Sequence, residues 1–518
     1  MRTSPAQLLF RYDCFILIAT TVLMHVGISP KTFAQDSEQA PKILVNFGAV
    51  SAIDLQQERS KAEIVKRGDN HALQIDSSEG DWPGVLIQTA KAGPWDLSGF
   101  DQVEMDIHDT QDVPLRVLLS VNNPRADGRR NCNTAAVHVP AKGNATLVLP
   151  FGSWHGDPGH PIDLANVVSV RVFLDQPRRP HRFFVDDIRA TVYDRGHMQK
   201  VFADPFFNKL QPPFGRGVNL GNALEAPREG EWGVTLEASY FEAIASAGFD
   251  SVRIPIRWSA HAEASAPYRI DPKFFERVDW AVRQSLDRKL RPIINMHHYT
   301  GIMERPNEHR ERFLALWQQI AEHYREFTPE VAFEILNEPQ QNLDAAKWNE
   351  LLAATLAVVR RTNPTREIVV GPANFNGIDH LEQLKLPADD RHLIVTVHYY
   401  SPFSFTHQGA HWLTGDSRPP VGKKWTGTPA EKLAIVRDFD KAIAWAVEHR
   451  RPLYLGEFGA YEKADLASRA RWTKFVADEA NQRKIGWGYW EFCSNFNAYD
   501  AKSGKWIAPL KDALLPEE

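Results

Sequence analysis

Cysteine is scarce in this chain, with three in 518 residues. Cys14 lies in an N-terminal apolar stretch, and Cys132 and Cys493 stand far apart, so the sequence carries no disulfide framework. A single Cys132–Cys493 bridge stays open as an alternative. No Cys/His cluster has the spacing of a zinc site. An excess of one charge is also lacking: 60 Lys and Arg face 65 Asp and Glu, for a net charge of −5. Nothing there drives binding to nucleic acid or acidic membranes. Long apolar runs are absent beyond residues 15–24, about half of the roughly 20 residues that a spanning helix needs. No glycine-rich dinucleotide or phosphate loop follows any strand-like run, and no cofactor is expected.

The one apolar run is preceded by Arg2 and Arg11 and followed by Thr32-Phe33-Ala34, a small-residue cleavage pattern. These features predict a signal peptide over residues 1–34, with export to the periplasm or beyond and no membrane anchor after cleavage. Asp13 is atypical for the charged leader, which keeps an uncleaved anchor as the alternative.

What the chain does contain is 43% hydrophobic and 24% charged residues, the balance of a soluble globular protein, at a length that calls for two folded units. Residues 41–193 read as all-β. Strands are predicted at 85–89, 102–107, 115–121, 146–150, 169–174 and 183–190, several alternating apolar and polar residues, with turn clusters between them. A β-sandwich follows. Residues 194–213 contain Phe202, Phe206 and Phe207 and little Gly or Ser, which predicts a short linker that packs against its neighbours. The fifteen Trp suit either sugar-stacking platforms or large core residues; Trp82, Trp95 and Trp154 lie near turns of the sandwich and fit both readings.

From residue 214 to 515, strand-like runs alternate with amphipathic helical stretches at 236–247, 274–288, 310–327, 347–361, 431–449 and 467–483. Eight β-then-α units in this length predict a (β/α)8 barrel, an α/β fold. The run 331–336 is nearly all apolar and stops at Asn337-Glu338-Pro339. Because proline cannot extend a central strand, Glu338 is left at the C-terminal lip of the fourth strand. Barrel enzymes draw catalytic groups from those lips. The other ends supply Asn219 and Asn222, Arg253, His297 and His298, His398 and Tyr400, Glu457, and Trp490 with Glu491. Two carboxylates from nonadjacent strands, without a metal constellation, suggest a glycosidase pair. Glu457 shares its alternation with Leu453 and Leu455, and Glu338 with Glu334. If these faces point inward, Glu334 is a buried acid below the site and needs a partner.

Seven ordered segments carry a specific resemblance: Gly217-Val-Asn-Leu-Gly-Asn-Ala-Leu-Glu-Ala-Pro227, Val252-Arg-Ile-Pro-Ile-Arg-Trp258, Asn295-Met-His-His-Tyr299, Phe333-Glu-Ile-Leu-Asn-Glu-Pro339, Val397-His-Tyr-Tyr400, Gly456-Glu-Phe-Gly-Ala460 and Trp487-Gly-Tyr-Trp-Glu-Phe492. Residues 214–515 resemble glycoside hydrolase family 5. The resemblance implies that Glu338 is the acid/base and Glu457 the nucleophile, held by Arg253 and Tyr400. It further implies that Asn337 bonds the sugar 2-hydroxyl, that His297 and His398 line the catalytic subsite, and that Trp490 forms its floor. Asn222, Glu225, His298, His407 and Glu491 match positions lining the glycone side. The first unit resembles the jelly-roll, galactose-binding-like modules found beside carbohydrate-active domains, which implies either a sugar-binding role or a spacer.

The segment 221–227, with residues 407–412, looks most like bacterial members that cut β-1,4-glucans. An endo-β-1,4-glucanase is expected first and a mannanase or dual enzyme second, with a polysaccharide as partner and a monomer as the working unit. A catalytically dead, polysaccharide-binding barrel is the reading from another class; it requires loss of an acid or of Arg253, and none is missing.

Overall fold

Alternation of apolar and polar residues in the first unit resolves into two facing sheets across a shared core, antiparallel except where Ser153–Trp154 runs parallel to Cys132–Val139. The computed structural model describes residues 40–516 apart from 49–52, 90–92, 156 and 159. The expected signal peptide therefore lies outside the described residues. One sheet runs Ser60–Arg67, Asn70–Ser77, His181–Thr191, Gln102–Asp109, Asn144–Pro150, with Lys42–Val45 also paired to His181–Thr191. The other runs Asp157–Pro158, Ser153–Trp154, Cys132–Val139, Leu115–Asn122, Ser169–Leu174, Gly84–Thr89, Ile53–Glu58. Leu73, Ile75, Met105 and Val185 from the first sheet pack on Val85, Leu119, Val121 and Val172 from the second, the arrangement of a β-sandwich.

Several of these strands were not read from the sequence. Ser60–Arg67 and Asn70–Ser77 carry Lys, Glu, Gln and Asp on their outer faces, which dilutes their apolar signal. They pair through Arg67 and Asn70 across a two-residue Gly68-Asp69 turn, where Gly68 has φ +60°. Cys132 is buried in its strand, and both it and Cys493 are free thiols, so the disulfide alternative is not realised.

The segment predicted to be a short, packed linker forms two short helices, Gly196–Ala203 and Pro205–Lys209, with Phe207 buried. Arg195 pairs with the fully buried Asp440 at 2.9 Å, and Asp440 also receives Arg483 at 2.5 Å. Arg437 donates to Gln102 of the sandwich at 2.7 Å and lies over the Tyr193 ring at 4.8 Å. These contacts join sandwich and barrel into one packed unit.

Eight parallel strands close the barrel: Arg216–Asn219, Ser251–Ile254, Arg291–Asn295, Ala332–Glu334, Ile368–Val370, Leu393–Tyr399, Leu453–Phe458 and Gly486–Tyr489. The fourth is shorter than the nearly apolar run 331–336: Ile335 N still bonds the carbonyl of Val369, and the chain bends at Asn337 and Glu338. Helices such as Pro306–His323 bury one stripe, here Phe313, Leu316, Trp317 and Ile320, against the strands. After the fifth strand there is a 3-10 turn, Ile378–Gln383, where the pattern was weak. The barrel interior is apolar at Phe214, Ile293, Ala332, Val369, Ile394 and Tyr454. Above it lie the buried polar groups Asn219, Arg253, Asn295 and Glu334. Much of the tryptophan serves as core: Trp258, Trp317, Trp348, Trp425, Trp472 and Trp487 are fully buried, whereas Trp82, Trp232 and Trp412 are exposed.

Candidate active site

The site is built upward from Arg253. A guanidinium has five N–H donors, and all five are engaged. Nε and Nη2 fork onto Glu334 at 2.6 and 2.8 Å, Nη2 reaches Asn337 Oδ1 at 2.8 Å, and Nη1 reaches Asn219 Oδ1 and Glu457 Oε1, each at 2.8 Å. Arg253 and Glu334 are both completely buried. Burial works against the charge of Arg253, but Glu334 and Glu457 hold it firmly ionised. Glu334, the acid whose partner the sequence left open, is thus the counter-ion of Arg253. Asn219 is held in turn by donating to the carbonyls of Gly456, Gly488 and Tyr489.

Glu457 faces inward, but not by the alternation read from the sequence. Tyr454 belongs to the barrel interior, whereas Leu453 and Leu455 join the cluster shared with the helices. Strict alternation would send Glu457 outward with them. Instead the pairing slips at Gly456: Val397 pairs with Leu455 and His398 with Glu457. This one-residue bulge re-aims the side chain. A Cβ on Gly456 would lie 2.6 Å from Thr396 Oγ1 and 3.0 Å from His398 Nε2, so the bulge requires glycine.

Above this layer the two carboxylates meet. His398 Nδ1 stands 2.8 Å from Glu338 Oε1 and 3.6 Å from Glu457 Oε2, and one oxygen of each acid lies within 4.8 Å of one of the other. Tyr400 donates to Glu457 Oε2 at 3.0 Å. Burial raises both acids. For Glu457 that rise is opposed by His398, Arg253 and the Tyr400 hydroxyl. Glu338 is pushed up to about 7, with Arg253 opposing and Glu334 adding to the shift. Burial pushes His398 down to about 4, so it is neutral near pH 7. One side-chain nitrogen or oxygen from each of these three residues lies within 4.8 Å of the others, and their hydrogen bonds run to one another, to Arg253 and to Tyr400.

The remaining positions form the walls. Asn337 is buried with its carbonyl fixed on Arg253, so its Nδ2 is the end turned away. Asn295 Nδ2 holds His297 Nδ1 at 3.0 Å, and the imidazole stacks on Trp490 with 5.5 Å between ring centres and an angle of 10°. His298 lies beside His297 and against the exposed Trp232. Opposite, His407 stacks on Phe403 at 4.1 Å and meets Tyr400 edge-on at 4.8 Å. Glu225 accepts from the backbone N–H of Asn222 and Ala223, and Asn222 Nδ2 donates to Ser494. Glu491 Oε1 accepts from Phe496 N, and a Cβ on Gly221 would lie 2.7 Å from Glu491 Oε2. Burial pushes Glu225 and Glu491 each up to about 8; the charge of Glu457 adds to the rise of Glu225, and that of Glu225 to the rise of Glu491. The sequence reading did not single out Asn295 as a support, although it stands in a quoted segment, and it missed Asn376, for which it offered no signal.

A closed parallel barrel with two facing carboxylates at its C-terminal rim is the arrangement of the barrel glycosidases. The chain belongs to glycosyl hydrolase family 5: the profile of that family, named for cellulase, matches residues 214–496, more than half of the chain. Endoglucanase H of Acetivibrio thermocellus is 38% identical over 291 residues, which cover 56% of this chain and 30% of that protein. Thermotoga maritima Cel5A has been solved with mannotriose and with cellobiose. Those structures are 48% and 49% identical to this chain, each with a TM-score of 0.57, and each covers 60% of this chain and 100% of the other. The chain spans about a third of the length of the first curated relatives it matches.

Proposed function

We propose that this chain is a retaining endo-β-1,4-glucanase. The observation that carries the reading is the approach of Glu338 and Glu457 to within 4.8 Å, oxygen to oxygen. Retaining pairs stand about 5–5.5 Å apart, and inverting pairs at roughly 6.5–9.5 Å leave room for a water between them. In this reading Glu457 is ionised and Glu338 protonated when substrate binds. Glu457 attacks the anomeric carbon as the glycosidic C–O bond breaks, and the Glu338 proton passes to the leaving oxygen. Formation of the glycosyl ester removes the negative charge of Glu457, so the proton affinity of Glu338 falls and it becomes a base. Glu338 then takes a proton from water, the water oxygen attacks the anomeric carbon, and the ester to Glu457 breaks. Asn337 offers Nδ2 to the 2-hydroxyl, His297 and Trp490 form one wall, and Asn222, Glu225, His298, His407 and Glu491 line the glycone side.

A second reading, dual action on glucan and mannan, is favoured by a relative solved with both cellobiose and mannotriose. Parallel reducing-sugar assays on carboxymethylcellulose, barley β-glucan and glucomannan test both; activity on none of them contradicts the proposal. Export and a monomeric working unit belong to the same proposal, with the export signal in residues 1–34. The sandwich fits a polysaccharide-holding module. A groove of about 510 Å³ over its seven-stranded sheet has Ser120 and Asn122 in its floor and Arg171 and Asp127 at its sides. Electrophoresis of the full chain through gels containing β-glucan or mannan, with Glu457→Gln to block hydrolysis and Ser120→Trp to fill the groove, tests that role. Equal mobility of the two proteins in every gel rules it out.

A further inference from the structure

The loop after the fifth barrel strand has an unusual backbone. Asn374, Phe375 and Asn376 have φ of +58°, +61° and +54° in succession. Left-handed conformation is uncommon outside glycine, tolerated by Asn and disfavoured for a bulky ring. It persists where the surroundings enforce it, and such sites cluster where function needs the geometry. Here the enforcing contacts are visible. Phe375 N donates to the carbonyl of Pro339 at 3.3 Å, and His398 N donates to the carbonyl of Asn376 at 3.0 Å. The loop is therefore clamped between the Asn-Glu-Pro turn and the sixth strand.

The outcome is a fully buried Asn376 whose Nδ2 lies 3.3 Å from His398 Nε2. The other ring nitrogen, Nδ1, is the one 2.8 Å from Glu338 Oε1. Room for the amide depends on Gly371, because a Cβ there would lie 2.2 Å from Asn376 Oδ1. A neutral imidazole carries one donor and one acceptor nitrogen. An amide N–H directed at Nε2 makes that nitrogen the acceptor and places the ring hydrogen on Nδ1. Nδ1–H then donates to Glu338 Oε1, which leaves Oε2 as the oxygen that carries an acidic proton.

We infer that Asn376 is a positioning residue that sets the tautomer of His398 and thereby selects the oxygen of Glu338 that delivers the proton. The inference rests on the acid/base role of Glu338 given above. With the amide turned over, Oδ1 would accept from Nε2–H and Nδ1 would become an acceptor. The Glu338 proton would then point at the histidine instead of the leaving group.

Two readouts separate this role from simple packing. In the full chain with 15N-labelled histidine, the His398 signals, assigned by their loss in His398→Gln, should show a protonated Nδ1 and an unprotonated Nε2. Asn376→Asp keeps the shape and, in its ionised form, offers only acceptors, so it should move the hydrogen to Nε2 at pH values where that carboxyl is charged. Kinetically, Asn376→Asp should lower kcat/KM by about 10²-fold, within the range of general acid catalysis, on an aryl cellobioside with a poor leaving group. It should stay within a few fold of the parent, roughly, on 2,4-dinitrophenyl cellobioside, whose departure needs no proton. An Nε2–H tautomer in the unsubstituted protein overturns the inference, as does an equal loss on both substrates. The tautomer is measured without substrate. Inactivity of the unsubstituted protein would therefore defeat the functional reading, while the placement of the proton by Asn376 would still be decided by the spectrum, even if Asn376→Asp failed to fold.

Discussion

Arg253 and Glu334 form a two-pronged ion pair at 2.6 and 2.8 Å with neither side chain exposed to solvent. Removing one partner of a buried pair costs about 3–5 kcal/mol, and here Glu334→Gln leaves Glu457 as the remaining carboxylate on the buried guanidinium. Glu334→Gln is therefore expected to lower the melting temperature of the barrel markedly, as read by calorimetry. Arg253→Lys keeps a charge but loses the planar fork. It should reduce kcat by roughly 10²–10³-fold, the cost of losing a donor aimed at reacting charge. A Glu334→Gln protein as stable as the parent would show that the pair is not the support described.

Much of this fold was legible in the sequence, and the reasons are local. Eight apolar runs ending in polar residues, separated by helical periods, specify a parallel barrel with few competitors. The rim residues were legible because they stand where those runs stop. What was not legible depends on contacts between distant segments. The partner of Glu334 lies 81 residues away. The inward turn of Glu457 comes from a bulge at Gly456, which strict alternation cannot foresee. Asn376 sits in a loop whose left-handed backbone is imposed by Pro339 and His398, so its own residues carry no signal. In the sandwich, strands such as Ser60–Arg67 and Asn70–Ser77 were passed over because charged and polar residues on their outer faces dilute the apolar signal of Ile64, Leu73 and Ile75.

The bulge supplies a second prediction. Gly456→Ala adds a carbon 2.6 Å from Thr396 Oγ1 and 3.0 Å from His398 Nε2. The protein should fold, since the rest of the strand is unchanged, but Glu457 and His398 should be displaced from each other. Displacements of this kind cost about 10²-fold in rate. Circular dichroism alongside initial rates checks this. Unchanged kcat would mean that the strand absorbs the methyl group without moving either side chain.

The acid/base pair predicts the pH profile. Glu338 must hold a proton to act as acid, and it is pushed up to about 7. Activity is therefore expected below that value and should fall as pH rises through it; the acid limb reflects protonation of Glu457. Initial rates of kcat/KM across pH give the limbs directly. In Glu338→Ala the upper limb should vanish, with rates lowered about 10²–10⁴-fold.

Glu225 and Glu491 are each pushed up to about 8 by burial, so with Glu338 they bind protons more tightly in the folded state than in the unfolded chain. The sign follows from linkage: the folded state holds more protons, so stability falls as pH rises. The contribution is fully present below the ordinary glutamate range and is lost as pH climbs through about 8. Melting temperature should decline across that window, and Glu491→Gln, which keeps the shape without the charge, should flatten the decline. An identical slope in the variant would show that Glu491 is ionised at no such cost.

We read the approach of Glu338 and Glu457 to within 4.8 Å as the signature of double displacement, and the stereochemistry of the first product tests this most directly. A proton NMR time course of a cello-oligosaccharide digest, followed from the earliest minutes before mutarotation, should show the β-anomer of the new reducing end appearing first. The same digest with Glu457→Gln should show no product. Early appearance of the α-anomer would contradict the account, because it would require water, and not Glu457, to attack the anomeric carbon.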